Sequence, residues 1–168
     1  MTHQEFVTKY NWRAIDYDGA YGPQCVDLFR QYLKEVLNVS QPPSVGGAKD
    51  LWNNYDPRYF DRINNGPLDI PNKGDIPIWD ARAGGGHGHV AIVETANLFS
   101  FTSFDQNWPV GTYCHFQGHN YFGGLVGWLR AKAPQPVDKW IAASTIRAIT
   151  DGPGSDGDKL QKIRLLIQ

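Results

Sequence analysis

One of the chain's two cysteines, Cys25, stands in Tyr21-Gly22-Pro23-Gln24-Cys25-Val26, where a loop gives way to a helical pattern. The thiolate rather than the thiol is the nucleophile, and a helix N-terminus favours the thiolate. The competing reading makes Cys25 one of the small buried hydrophobes that unpaired cysteines commonly are. A nucleophilic role needs a base within hydrogen-bond reach and a group to orient that base, and these come from distant sequence. His89 fits the base: it closes the glycine-rich run 84–88 where the apolar Val90-Ala91-Ile92-Val93 begins a buried strand. A later strand runs into Phe104-Asp105-Gln106-Asn107-Trp108. Strand alternation carried through it puts Asp105 and Asn107 on one face, both toward the imidazole. In this reading Asp105 holds the ring's Nδ1–H, and Asn107 supports the ring or the oxyanion. The Cys25 backbone N–H and the Gln24 side chain supply oxyanion donors, and Trp108 lines a substrate groove.

Other chemistry-bearing residues fare less well. His87, His89, His115 and His119 suggest zinc, but Gly118 interrupts any helix joining the last two, and no Glu completes a metalloprotease pattern. Cys114 and His115 are strand neighbours facing opposite sides, so Cys114 is assigned to the core. His87 is read as a loop residue at the cleft mouth, and His3 and His119 as surface or satisfied structural residues. Trp79 and Trp128 are read as core.

The elements that must position these residues come helices first and strands later. Pro23 suits a helix start, and Val26, Phe29, Leu33, Val36 and Leu37 recur at helical spacing after it. Thr2-His3-Gln4-Glu5 is a capping box opening a helix toward Tyr10, and a third short helix is expected over 48–54. Residues 75–80, 89–95, 98–104, 112–116 and 125–130 are rich in β-branched and aromatic residues between Gly, Asn and Pro turns. The layout is α+β with a mostly antiparallel sheet. Residues 1–132 read as the catalytic domain and 133–137 as a linker. Two apolar stripes over 138–168 read as a helix-loop-helix extension or the stub of a second module.

A net charge of −1 over 168 residues gives no general basic surface, so neither nucleic acid nor an anionic membrane is expected as partner. No stretch approaches ~18 apolar residues, and no basic segment followed by an apolar run opens the sequence, so no membrane span or signal peptide is expected. A bond between Cys25 and Cys114 is not expected in a reducing cytosol.

Four blocks in order, 16–28 around Cys25, Gly74-Asp75-Ile76-Pro77-Ile78-Trp79, Gly88-His89-Val90-Ala91-Ile92-Val93 and Asp105-Gln106-Asn107, resemble a CHAP domain. That name denotes cysteine, histidine-dependent amidohydrolases and peptidases, a papain-like group common in phage endolysins and bacterial autolysins. The resemblance covers about residues 1–132. It implies cleavage of an amide bond of bacterial peptidoglycan, with Cys25 as nucleophile, His89 as base, and Asp105 with Asn107 completing the site. It also implies structural calcium, held by Asp16 and Asp18 before the nucleophile and Asp27 after it. Three carboxylates would supply part of the oxygen shell calcium requires. A phage lysin held in the host cytoplasm until release to the wall, or carried in a virion, fits these expectations, with a further wall-binding module as a possible partner. The alternatives are a catalytically silent wall-binding or tail-tip module and a cysteine protease acting on proteins.

Overall fold

The structure, a computed structural model, describes residues 1–132. The expected linker 133–137 and helix-loop-helix 138–168 lie outside the described residues.

Helix α1 spans His3–Tyr10, and its capping box forms as the sequence dictates. Glu5 N donates to Thr2 Oγ1 at 3.2 Å and Thr2 N to Glu5 Oε2 at 2.7 Å, which satisfies two otherwise unpaired amides. Helix α2 spans Cys25–Tyr32, with Asp27 in its first turn accepting from Gln24 N at 2.7 Å. A π-helical turn, Leu33–Leu37, extends it and stops at Asn38, whose left-handed backbone (φ 51°, ψ 46°) suits asparagine. The helix expected over 48–54 is a 3₁₀ turn, Ala48–Trp52.

The strands are β1 Phe60–Asn64, β2 Ile76–Trp79, β3 His89–Val90, β4 Ile92–Ala96, β5 Ser100–Asp105, β6 His115–Asn120 and β7 Leu125–Ala131. They form two antiparallel sheets, β1-β7-β2-β3 and β4-β5-β6, where the sequence suggests one. The single strand expected over 89–95 divides at Ala91, where the chain passes from one sheet to the other. Strand β1 escapes sequence reading because only Phe60 and Ile63 are apolar in it and Asp61 and Arg62 lie exposed at a sheet edge.

Both sheets meet α2. Phe29 and Leu33 pack on Ile76, Ile78, Val90 and Leu129 of the four-stranded sheet. Leu28 and Tyr32 pack with Phe6, Ile92 and Phe104, the latter two from the three-stranded sheet. Each such side chain contributes about 1.5–3 kcal/mol on burial, so the helix that begins at Cys25 is held from two sides. Among the described residues no helix is long and apolar enough to cross a membrane.

Candidate active site

Cys25 is the first residue of α2 and is partly exposed. As a first-turn residue, its backbone N–H has no intrahelical partner. His89 enters β3 directly after Gly88, whose φ of +77° belongs to the left-handed region. A Cβ on Gly88 would lie 2.4 Å from the Trp79 carbonyl oxygen and 2.7 Å from Lys49 N, so only glycine lets the chain approach closely enough to pair His89 with Trp79 across β2 and β3.

The His89 ring is buried, with its Nε2 2.7 Å from Asp105 Oδ2, and the Cys25 side chain lies near enough to favour the ring's charged form. An ionised carboxylate only accepts, so His89 Nε2 carries the hydrogen and Nδ1 is left for the thiol. This corrects the expectation that Asp105 binds Nδ1. The fully enclosed Asp105 meets the buried edge of the ring, leaving the other nitrogen to the half-exposed cysteine.

Asp105 is surrounded by donors. Ser103 Oγ donates to Oδ1 at 2.5 Å, and His119 Nε2 lies 3.0 Å from Oδ2. Burial pushes the Asp105 carboxyl up, but hydrogen bonds from His119 and His89 outweigh it and hold the group below the usual carboxylate range. Burial likewise pushes His89 down, yet its bond to Asp105 and the nearby Cys25 side chain prevail and raise its pKa to about 9.

Asn107 does not continue the alternation of β5. The strand ends at Asp105, and Asn107 sits in a turn with φ 61°. Its Nδ2 donates to Gln24 Oε1 at 2.8 Å and its Oδ1 accepts from Gly111 N at 2.6 Å. The geometry therefore ties Asn107 to Gln24 rather than to the imidazole. Gln24 Nε2 in turn donates to Tyr21 O at 3.0 Å, which leaves its second N–H for a ligand. Trp108 lies against His89, ring centroids 4.7 Å apart. Trp79 packs on both rings, at 5.3 Å from His89 and 6.1 Å from Trp108.

Three residues of the site escape the sequence reading. Ser103 stands two before Asp105 on β5, so strand alternation alone puts both on one face. His119, expected at the surface or in a structural place, is nearly enclosed beside Asp105, and the register of β5 and β6 sets it opposite Phe101 on that same face. Gln106 is fully buried and spans the loop before the nucleophile: Nε2 donates to Ile15 O and Gln24 O, both at 2.7 Å, and Oε1 accepts from Ile15 N at 2.7 Å. Nothing in its sequence position marks that role. Cys114 is buried as expected, its thiol on Gln106 Oε1 at 3.1 Å, and burial pushes its pKa to about 12.

Asp16, Asp18 and Asp27 each offer a carboxylate oxygen, all within 4.8 Å of one another. Asp16 Oδ1 accepts from Gly19 N and Asp18 Oδ1 from Ala20 N, each at 2.9 Å, so the turn itself folds the first two carboxylates together. Burial and the charges of Asp18 and Asp16 raise the Asp27 carboxyl above its ordinary value, against the pull of backbone donors at Gln24 and Tyr17. Three hard oxygen donors whose mutual repulsion a cation would relieve fit calcium chemically.

Residues 14–107 match the family model described as the CHAP domain. The chain is 51% identical over 51 residues to a probable autolysin of Staphylococcus aureus, covering 30% of this chain and 10% of that protein. It is 33% identical over 99 residues to the endolysin PlyTW of Staphylococcus phage Twort, covering 56% and 21%. It is 30% identical over 107 residues to a D-alanyl-L-alanine endopeptidase of Streptococcus phage B30, covering 52% and 23%. The chain thus spans less than a quarter of the length of these curated relatives. The crystal structure of the endolysin LysIME-EF1 superposes with a TM-score of 0.62 at 29% identity, covering 75% of this chain and 61% of that one.

Proposed function

This chain belongs to the CHAP domain family, and from that premise we propose that it hydrolyses an amide bond of bacterial peptidoglycan through a cysteine nucleophile and a thioester. The observation that carries the reading is the buried bond from His89 to the Asp105 carboxylate at 2.7 Å, with the partly exposed Cys25 thiol at a helix start close enough to the same ring to raise its pKa.

The chemistry follows from those positions. His89 Nδ1 takes the thiol proton, and the Cys25 sulfur attacks the amide carbonyl. The oxyanion meets the Cys25 backbone N–H and the uncommitted N–H of Gln24. The imidazolium then protonates the leaving amine as the C–N bond breaks, giving the thioester. Water, its proton taken by His89, attacks the thioester, and the carboxylic acid leaves as the thiol is restored. Asp105 keeps the ring in one tautomer and stabilises the imidazolium throughout. Asn107 acts here by fixing Gln24, and Trp108 walls the approach to His89.

Asp16, Asp18 and Asp27 would hold a calcium ion that braces the loop leading to Cys25. Its contribution is structural. The protein would act at the wall after release from a host cytoplasm or from a virion, and a further wall-binding module would concentrate it there.

Purified Gram-positive peptidoglycan and casein, incubated separately with the protein, test this reading. New amine and carboxyl termini in the muropeptides, located by mass spectrometry, are the expected result and identify the amide cut. Unaltered walls would overturn it, and digestion of casein alone would make the protein a protease of folded or unfolded proteins instead.

A further inference from the structure

We propose that His119 is a positioning residue of the active site, a second imidazole that shares the Asp105 carboxylate with His89 and thereby fixes the ring that exchanges its proton with Cys25. The inference rests on the reading of Cys25 and His89 as the catalytic pair.

The geometry is specific. His89 Nε2 and His119 Nε2 approach the same oxygen, Asp105 Oδ2, at 2.7 and 3.0 Å, while Ser103 Oγ occupies Oδ1. An ionised carboxylate has no hydrogen to give, so His119 presents Nε2–H and its neutral form suffices. Among the described residues the ion-pair partners of Asp105 are these two imidazoles, and no Lys or Arg joins them. With one histidine alone, Oδ2 would keep an unfilled lone-pair direction in a site closed to water, and the carboxylate would be held by a single donor on each oxygen. With donors on both oxygens and two on Oδ2, rotation breaks charge-assisted bonds. His119 joins His89 in holding Asp105 ionised against burial.

His119 is itself held from several sides. Its ring stacks on Phe101 of β5 (centroids 5.4 Å, 28°), packs on Trp79 of β2 at 4.8 Å and meets Trp108 edge-on at 5.8 Å. Gly118 and Asn120 flank it on β6. Trp79 and Trp108 also touch His89, so the two imidazoles share aromatic walls as well as a carboxylate. His119 further lines a cavity of about 520 Å³ together with Trp79, Phe101, Trp108, Asn120 and Phe122. That placement defines the rival role, direct contact with substrate, and the two roles separate kinetically. A positioning residue changes the rate of the bound complex, whereas a contact residue changes the concentration needed to form it.

Three variants of the whole chain test the proposal, with solubilised peptidoglycan fragments as substrate and released amines as readout. His119→Phe keeps the ring and its stacking but removes the N–H. His119→Gln restores an amide N–H at similar reach, and His119→Asn carries one too short to arrive. The Phe and Asn variants should lower kcat roughly tenfold, the scale of one lost charge-assisted bond to the orienting carboxylate, with KM within about twofold, and Gln should recover most of it. Wild-type kcat in the Phe and Asn variants would overturn the proposal. So would equal losses in all three, which mark a packing role, or a rise in KM alone, which marks substrate contact. Nitrogen-15 spectra of the His89 ring, recorded above its pKa of about 9 where the ring is neutral, give a readout independent of turnover: a fixed Nε2–H in wild type and in Gln, and averaging between tautomers in Phe and Asn. If the wild-type protein cuts no peptidoglycan, the proposed function falls while those spectra still decide whether His119 fixes the pair. An unchanged His89 spectrum in the Phe and Asn variants would then remove the positioning role.

Discussion

Gln106, the residue after the carboxylate that orients His89, donates its side-chain amide to the carbonyl of Gln24, the residue before Cys25, at 2.7 Å. One buried side chain thus joins the backbone of the nucleophile's helix to the strand end that carries the orienting carboxylate. The same amide group closes two bonds with Ile15, so the loop 16–24 is anchored at both ends by Gln106.

Replacing Gln106 with Leu keeps the volume and strands Ile15 N and Ile15 O without a partner, while Gln24 O keeps the Asp27 amide at 3.1 Å. Buried polar groups left unpaired cost far more than the bonds contribute when made. The variant should lose about 3 kcal/mol of stability, read as a lower midpoint in urea at unchanged slope. Its kcat should fall even at temperatures where it is fully folded. A variant as stable and active as wild type would reduce Gln106 to a filler.

The nucleophile and its base should behave as a unit. Cys25→Ala and His89→Ala should each reduce wall hydrolysis to background while leaving the melting transition cooperative, and the double variant should be no worse than either alone. Cys114→Ser should retain most activity, since the Cys114 thiol is buried on Gln106 away from solvent. Lysis by Cys25→Ala at the wild-type rate would end the thioester mechanism.

His89 titrates at about 9 against an ordinary 6.5, which gives its pH dependence a definite sign. The folded state binds the ring's proton more tightly than the unfolded state. The stabilisation is therefore fully present below about pH 6.5 and is lost as pH rises through about 9. Turnover should fall over that alkaline limb, because a neutral ring cannot protonate the leaving amine. Asp105→Asn removes the charge that raises the ring, so the limb should move to lower pH and the rate should drop at every pH. A limb that stays in place in this variant would mean that another group produces it.

How far the site can be read from sequence depends on whether a residue acts through its own strand or through another. Cys25 and His89 are legible because each sits at a punctuated boundary, Pro23 before one and Gly88 before the other. Asp105 is legible from its place in a strand, yet the same alternation carried two residues too far misplaces Asn107, since β5 ends at Asp105. The division at Ala91 into two sheets leaves no mark in an unbroken apolar run, because both halves are buried. His119 and Gln106 are recruited by partners fourteen and eighty-two positions away, and no local pattern encodes a contact of that kind. The helices are the reverse case: the Thr2 capping box and the stripe on α2 are local devices, and both form where the sequence puts them.

Calcium gives the prediction with the most parts. If Asp16, Asp18 and Asp27 share one ion, chelation should lower both the melting temperature and the rate, and added calcium should restore them, because a ligand bound by the folded state alone stabilises it by mass action. At calcium a hundredfold above its dissociation constant the stabilisation is about 2.7 kcal/mol, a shift of several degrees. Asp18→Ala should reproduce the chelated protein and make it indifferent to further chelator, since two carboxylates leave the site short of charge. Magnesium should substitute poorly, because an irregular turn that folds Asp16 and Asp18 onto its own amides does not meet strict octahedral geometry. Acid should act in the same direction as chelation and earlier than for ordinary carboxylates, since Asp27 without an ion is raised by burial and by its two acidic neighbours. Calcium binding would then release protons, and its affinity should climb with pH until that carboxyl is fully ionised. A wild-type melting curve that neither chelator nor calcium moves would leave Asp16 and Asp18 as turn residues and Asp27 as the acceptor for Gln24 N, with the cysteine and histidine chemistry untouched.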